Sequence, residues 1–278
     1  MQLKIITPEI WKMDGGAGFG LVPKTIWSRS YPSDEQNYIL MTSRLLLIED
    51  EDRKILIDTG YGNKRGEKYY KYKYFQFQKS FREVLGEHNL TTEDITDVII
   101  THLHDDHIGG ATYLEGDEVK LRFPNANHWI GKEQWDWAIN PNKREAGSYF
   151  IENFVPIKEA GKLKLVEEEG EYIPNIEFRM YNGHTQGNIV PMIFYKDKQI
   201  AFMGDFIPYV AAIPLPYISA NDIQPLFSLS EKEEFLNEAA DKGIYMFYEH
   251  DYYNEVSTVE HSFKRVAHKE SFKLEDIL

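Results

Sequence analysis

The sequence contains no cysteine. That excludes a disulfide framework, a thiolate metal site and a cysteine nucleophile, so any metal must be held by His, Asp and Glu. Also missing is an apolar run of the roughly eighteen residues that a membrane-spanning helix needs. The opening Met1-Gln2-Leu3-Lys4-Ile5-Ile6 lacks the apolar core and small-residue cleavage site of a secretory leader, and the expectation is a cytoplasmic chain without a membrane partner. Positive charge is scarce: 31 Lys and Arg stand against 45 Asp and Glu, a formal net charge of −14. Such a chain repels a polyphosphate backbone, which argues against a nucleic acid partner. With 42% hydrophobic and 14% aromatic residues, the 278 positions can build a substantial core, and no disordered or low-complexity class fits.

What is present is concentrated in one stretch, Val98-Ile99-Ile100-Thr101-His102-Leu103-His104-Asp105-Asp106-His107-Ile108-Gly109-Gly110. The three aliphatic residues predict a short buried strand, and the histidines and aspartates follow at its exit, where open α/β architectures place their chemistry. Three of the nine histidines fall within six residues. Imidazole and carboxylate are the nitrogen and oxygen donors that zinc and similar ions accept, so metal binding explains the crowding better than a polar turn does. His102 and His104 can share one ion, and Asp106 and His107 point to a second. Gly109-Gly110 lets the backbone turn sharply beside them.

Other apolar strands end in the same residue types. Residues 38–49 and 54–57 predict a hairpin ending at Asp58, which is either a plain turn former or a residue that orients a metal-bound histidine. His184 lies between two glycines after a strand at 176–180. A hairpin of 192–195 and 199–202 ends at Asp205, and a strand at 244–248 delivers His250. Elsewhere the pattern predicts an edge strand at 3–10, then a glycine-rich loop at 13–20 with no helix. An amphipathic helix is expected from 69 to about 88, a capped turn at 91–94 and a strand at 127–130. Helices are expected at 132–139 and 149–160, and a strand at 162–166. Residues 206–227 are long and irregular enough for a lid or binding loop, and a helix at 230–242 is expected with Ser230 as its cap and Gly243 as its stop. Strands alternating with helices imply an α/β class. His88, His128, His261 and His268 have no strand-exit setting and are read as surface or packing residues.

This series resembles the metallo-β-lactamase superfamily of hydrolases, whose motifs are an early Asp, HxHxDH, a lone His, a lone Asp and a final His. Here they are Asp58, His102 to His107, His184, Asp205 and His250, in that order. The resemblance implies one domain over 1–278, a four-layer αββα sandwich of two mixed sheets with helices on both outer faces. It also implies two divalent metal ions, most simply zinc. His102, His104 and His184 would bind the first, Asp106, His107 and His250 the second, with Asp205 bridging and Asp58 supporting from behind.

Within the superfamily the chain is most similar in look to N-acyl homoserine lactone lactonases, the quorum-quenching enzymes, and to methyl parathion hydrolase-like enzymes. The cues are Asp14-Gly15-Gly16-Ala17, Val22-Pro23-Lys24 and Gly204-Asp205-Phe206-Ile207-Pro208. Asp105 stands where those lactonases can carry an aromatic, and Tyr209 falls one residue later than their tyrosine. The implied reaction is hydrolysis of a lactone or related ester by a metal-bridging hydroxide. Phosphotriester, thioester or β-lactam hydrolysis on the same site is the alternative, and a non-catalytic metal-binding protein a remoter one. Asp106 would relay a proton to the leaving group, and Tyr209 would hydrogen-bond the substrate oxygen. Phe19, Val22, Trp27 and Tyr217 would line a pocket for a small-molecule substrate with an apolar portion. A homodimer is allowed.

Overall fold

The computed structural model describes residues 1–278. Its first strand, β1 (Gln2–Asp14), continues beyond the expected segment. β2 (Tyr38–Asp50) and β3 (Arg53–Ile57) form the expected hairpin, with Leu46 opposite Ile57 and Asp50 opposite Arg53. β4 (Phe77–Gln78) pairs antiparallel with β1, so β1 is one place in from the edge. β5 (Asp97–Ile99) lies parallel to β3, and every residue in it is buried, which is why Val98 and Ile99 open an aliphatic run that Ile100 completes. A separate hairpin, β6 (Thr112–Glu115) and β7 (Glu118–Leu121), follows. β8 (Asn127–Gly131) and β9 (Leu163–Val166) then extend the first sheet in parallel, giving the order β4-β1-β2-β3-β5-β8-β9.

The second sheet runs in sequence order: β10 (Gly170–Ile173), β11 (Ile176–Tyr181), β12 (Asn188–Tyr195), β13 (Lys198–Phe202), β14 (Tyr245–Phe247), β15 (Val256–Ser262) and β16 (Arg265–Phe272). Its one parallel pair is β13 with β14, and the helix Pro225–Lys242 lies in the crossover that such a pair requires. The terminal hairpin β15 and β16 has few apolar residues and is not legible as strand from the sequence.

Residues 1–10 and 43–168 form one compact unit, and residues 11–42 and 169–278 another. The first is built on Leu45, Leu47, Leu56, Val98, Ile100, Leu103, Phe123 and Phe154, all fully buried. In the second, Tyr181 stacks on Phe206 at 3.9 Å, Phe206 meets Phe235 edge-on, and Phe202 stacks on Phe247 at 5.4 Å.

Several local expectations change. Residues 69–88 are not one helix: Glu67–Tyr70 is a single turn, Tyr74 adopts a left-handed φ of 47°, and Phe81–Gly86 restarts behind a Ser80/Glu83 capping box. Gly15–Phe19 is a short helix despite its glycines, because the Asp14 carboxylate accepts from the Gly16 and Ala17 N–H groups. Residues 149–160 break into a 3-10 turn, Ile151–Asn153, and a helix, Val155–Glu159. The helix expected from Ser230 starts earlier, at Pro225, whose fixed φ suits a first turn. Ser230 instead donates back to the Leu226 and Phe227 carbonyls, and Gly243 ends the helix at φ 67°.

Candidate metal centre

In the first unit, β3 and β5 lie side by side and parallel, so Asp58 and the 101–107 loop leave the sheet at the same end. Asp58 is fully buried and gathers three donors. The Thr101 N–H reaches Oδ1 at 2.8 Å, the Thr101 hydroxyl reaches Oδ2 at 2.6 Å, and His107 Nδ1 lies 3.0 Å from Oδ2. Because the hydroxyl's single proton goes to Asp58, Thr101 Oγ1 accepts from His102 Nδ1, 3.1 Å away. Both imidazoles therefore carry their proton on Nδ1 and turn a basic Nε2 outward. His102 Nε2 faces His104 Nδ1 at 3.0 Å, while His104 Nε2 meets the buried Glu145 carboxylate at 3.1 Å. Asp106 keeps a partly open side chain, with Oδ1 3.8 Å from His107 Nε2. Its neighbour Asp105 is buried and lies 3.4 Å from Lys73 Nζ. Burial, then the Asp106 charge, holds the Asp105 carboxyl well above the usual carboxylate range.

The second unit repeats the device. Phe202 of β13 lies opposite Phe247 of β14, so Asp205 and His250 emerge at one end of that parallel pair. The Asp205 carboxylate is shared: Oδ2 lies 3.1 Å from His184 Nε2 and Oδ1 lies 2.9 Å from His250 Nε2. Behind them, His184 Nδ1 meets Asp222 at 3.0 Å and His250 Nδ1 donates to the Thr42 carbonyl at 2.8 Å. Burial depresses the His184 pKa, but the Asp205 and Asp222 carboxylates outweigh it and raise the group to about 10.

These donor sets fit a divalent cation. His102 Nε2 and His104 Nδ1 both present lone pairs, as do His250 Nε2 and the Asp205 oxygen before it. Such pairs repel unless a proton or a metal ion lies between them. Two ligands about 2.0–2.1 Å from one ion sit roughly 3.0–3.4 Å apart. The spacings of 3.0, 3.1 and 2.9 Å are close to that. Nitrogen and oxygen donors without sulfur suit a first-row divalent ion.

The remaining candidates divide. Tyr209 is fully buried and its hydroxyl donates to the Gly18 carbonyl, a backbone partner where the sequence suggests a substrate oxygen. Phe19 and Trp27 are buried as well, stacked at 4.6 Å, and Phe19 lies 5.1 Å from Tyr209. The glycines beside them make room for this aromatic block: a Cβ on Gly15 would fall 2.3 Å from the Trp27 ring, and one on Gly18 would fall 2.6 Å from the Tyr209 oxygen. Val22 and Tyr217 are partly exposed. The segment after Asp205 is tied down, since Lys232 donates to the carbonyls of Ala212, Pro214 and Tyr217 at 2.8, 3.0 and 3.0 Å. Sequence reasoning misses Thr42, Thr101, Glu145 and Asp222. No local pattern marks them, because each acts through a contact with a histidine and only Thr101 adjoins the motif.

Strands that end in buried histidine and carboxylate donors, in this motif order, define the metallo-β-lactamase superfamily. The chain belongs to it: residues 43–250 match the family model described as Metallo-beta-lactamase superfamily. It has that fold and is by fold a metal-dependent hydrolase. Among solved structures it is similar to a probable metal-dependent hydrolase from Staphylococcus aureus, at 29% identity and a TM-score of 0.88 over 98% of each chain. It shares its fold with AidC, a dizinc quorum-quenching lactonase in complex with a product, N-hexnoyl-L-homoserine, at 23% identity, TM-score 0.80, and 98% and 95% coverage. It also shares it with AbOPH, a hydrolase in the beta lactamase superfamily, at 18% identity, TM-score 0.80 and the same coverage. No curated protein sequence matches the chain.

Proposed function

We propose that the chain is a dinuclear-metal hydrolase of lactones, of the N-acyl homoserine lactone type, or of related esters. One observation carries this reading: in each unit, histidines are fixed from behind by a carboxylate, hydroxyl or carbonyl so that the opposite ring nitrogen faces another donor about 3 Å away. His102, His104 and His184 would hold one ion, Asp106, His107 and His250 the other, and Asp205 would serve both. Zinc is the ion that suits this nitrogen and oxygen donor set. When bound, the ions supply Lewis acidity and a water acidic enough to serve as nucleophile near neutral pH. Asp58 keeps His107 and, through Thr101, His102 in the tautomer that binds metal. Asp106, partly open, carries a proton to the leaving alkoxide of the opened ring or ester. Val22 and Tyr217 contact the apolar portion of the substrate. The lactone preference is supported by the shared fold of AidC and by the motif resemblance.

The test is elemental analysis joined to a substrate panel. About two zinc ions per chain and hydrolysis of acyl homoserine lactones, both lost in His250→Ala, are expected. A stoichiometry near one at saturating metal removes the dinuclear site. Hydrolysis confined to phosphotriesters, thioesters or β-lactams replaces the substrate, and inactivity of the metal-loaded protein on all four classes removes the enzyme reading.

A further inference from the structure

The geometry points to Glu145 as the positioning residue for His104, a role that rests on His104 being a metal ligand as proposed above. Glu145 lies in the first unit, outside every motif, with its side chain 3% exposed. Four donors converge on its two oxygens. Oε1 takes His104 Nε2 at 3.1 Å and the Tyr149 hydroxyl at 2.9 Å; Oε2 takes Trp137 Nε1 at 2.6 Å and Asn142 Nδ2 at 2.7 Å. A carboxylate has about four lone-pair directions, so this one is fully used and cannot swing away from the imidazole.

The cage is itself held. Asn142 accepts the Glu145 and Arg144 N–H groups through its own Oδ1 at 3.1 and 2.8 Å, fixing the turn that presents the carboxylate. Trp137 belongs to the helix Lys132–Ile139, which also supplies Gln134, whose oxygen accepts the Leu103 N–H at 3.0 Å. One short helix therefore grips the backbone immediately before His104 and, through Trp137 and Glu145, its ring. Tyr149 adds a face, its ring 5.0 Å from that of His104.

The consequence is chemical. An ionised Glu145 can only accept, so His104 carries its proton on Nε2 and its lone pair on Nδ1. Nδ1 is the nitrogen that faces His102. The other histidines of the motif hold the opposite tautomer, so Glu145 is what makes a mixed Nε2/Nδ1 pair of donors from an HxH sequence. A carboxylate on the far nitrogen also makes the imidazole a stronger donor.

Glu145→Gln, Glu145→Ala, Trp137→Phe and His104→Ala would be compared by nitrogen-15 NMR of the metal-free imidazoles, zinc affinity against a chromophoric chelator, and melting temperature. The wild type should show His104 protonated on Nε2. Glu145→Ala should lose that preference and bind zinc roughly 10 to 100-fold more weakly. Glu145→Gln, which keeps an acceptor but turns an amide on Trp137 and Asn142, should fall between. Trp137→Phe leaves the Oε1 contact and should stay within about threefold of wild type. Unchanged affinity and tautomer in both Glu145 variants, with affinity lost in His104→Ala, overturns the positioning role alone. Unchanged affinity in His104→Ala overturns the metal-ligand reading instead, while the tautomer measurement still reports on the Glu145 contact. Should Glu145→Ala lower the melting temperature, the isosteric Glu145→Gln decides. A Trp137→Phe loss as large as that of Glu145→Ala assigns the effect to collapse of the segment and overturns the proposal.

Discussion

Tyr209, expected from the motif order to meet the substrate oxygen, has a structural partner in the folded chain. Its hydroxyl is spent on the Gly18 carbonyl inside an aromatic block. Tyr209→Phe should thus cost about 1 kcal/mol of stability by leaving a buried carbonyl unmatched, with kcat little changed. Urea unfolding beside steady-state kinetics checks this, and a large fall in kcat at unchanged stability would return the hydroxyl to the substrate. Asp58→Ala should lower zinc affinity or activity roughly 10 to 100-fold, because it releases His107 and, through Thr101, His102. Chelator competition measures it directly. The candidate ligands are legible in the sequence because metal chemistry restricts them to His and Asp and the strands place them at exits. Glu145 and Asp222 are not legible, since a hydrogen-bond acceptor can arrive from any loop that passes the far side of the ring.

Among the elements, β2, β3 and β5 are readable because their apolar runs are too short for helices and too long for turns. The misread stretch at 69–88 contains enough aromatic and charged residues to mimic an amphipathic helix. What breaks it is a left-handed Tyr74 and a new cap at Ser80, both local backbone events that periodicity does not register. The helix Gly15–Phe19 was hidden by its glycines and is restored by one capping carboxylate. Since its Phe19 stacks on Trp27 in the interior, Phe19→Ala should destabilise by about 3–5 kcal/mol and leave the preference for substrate chain length alone. A shifted chain-length profile at unchanged melting temperature would place Phe19 in the pocket after all. β1 carries a further dependence. Glu9 accepts from the N–H groups of Tyr61 and Gly62, both at 3.0 Å, and from Ser43 at 3.1 Å, pinning the loop after Asp58. Burial, partly offset by these bonds, raises its pKa from 4.5 to about 7. Between those values the folded chain keeps a proton that the unfolded chain has released. Stability from this group is therefore greatest below pH 4.5 and declines as pH rises to about 7, by on the order of 3 kcal/mol. Glu9→Gln should flatten that slope in denaturant titrations at pH 5 and pH 7.5; an identical slope would assign it to another group.

For the molecule as a whole, both sheets use one rule: two adjacent parallel strands send their following residues out at a common end, Asp58 with the 101–107 loop in one and Asp205 with His250 in the other. If divalent ions bind there, they bind the folded chain alone, and stripping them should lower the melting temperature. At free metal a hundredfold above Kd the linkage is worth about 2.7 kcal/mol. Calorimetry with and without chelator reads the difference, and coincident transitions would argue against resident metal. The second sheet ends at β16, whose Arg265, Lys269 and Glu270 are exposed along an open margin of unpaired backbone. Those same ionic residues conceal the strand from pattern reading, and they make its rim a poor template for a neighbouring chain. A rim so armoured resists edge-on association, so replacing its charges with valine should make the chain fibrillate or precipitate on concentration where the wild type does not.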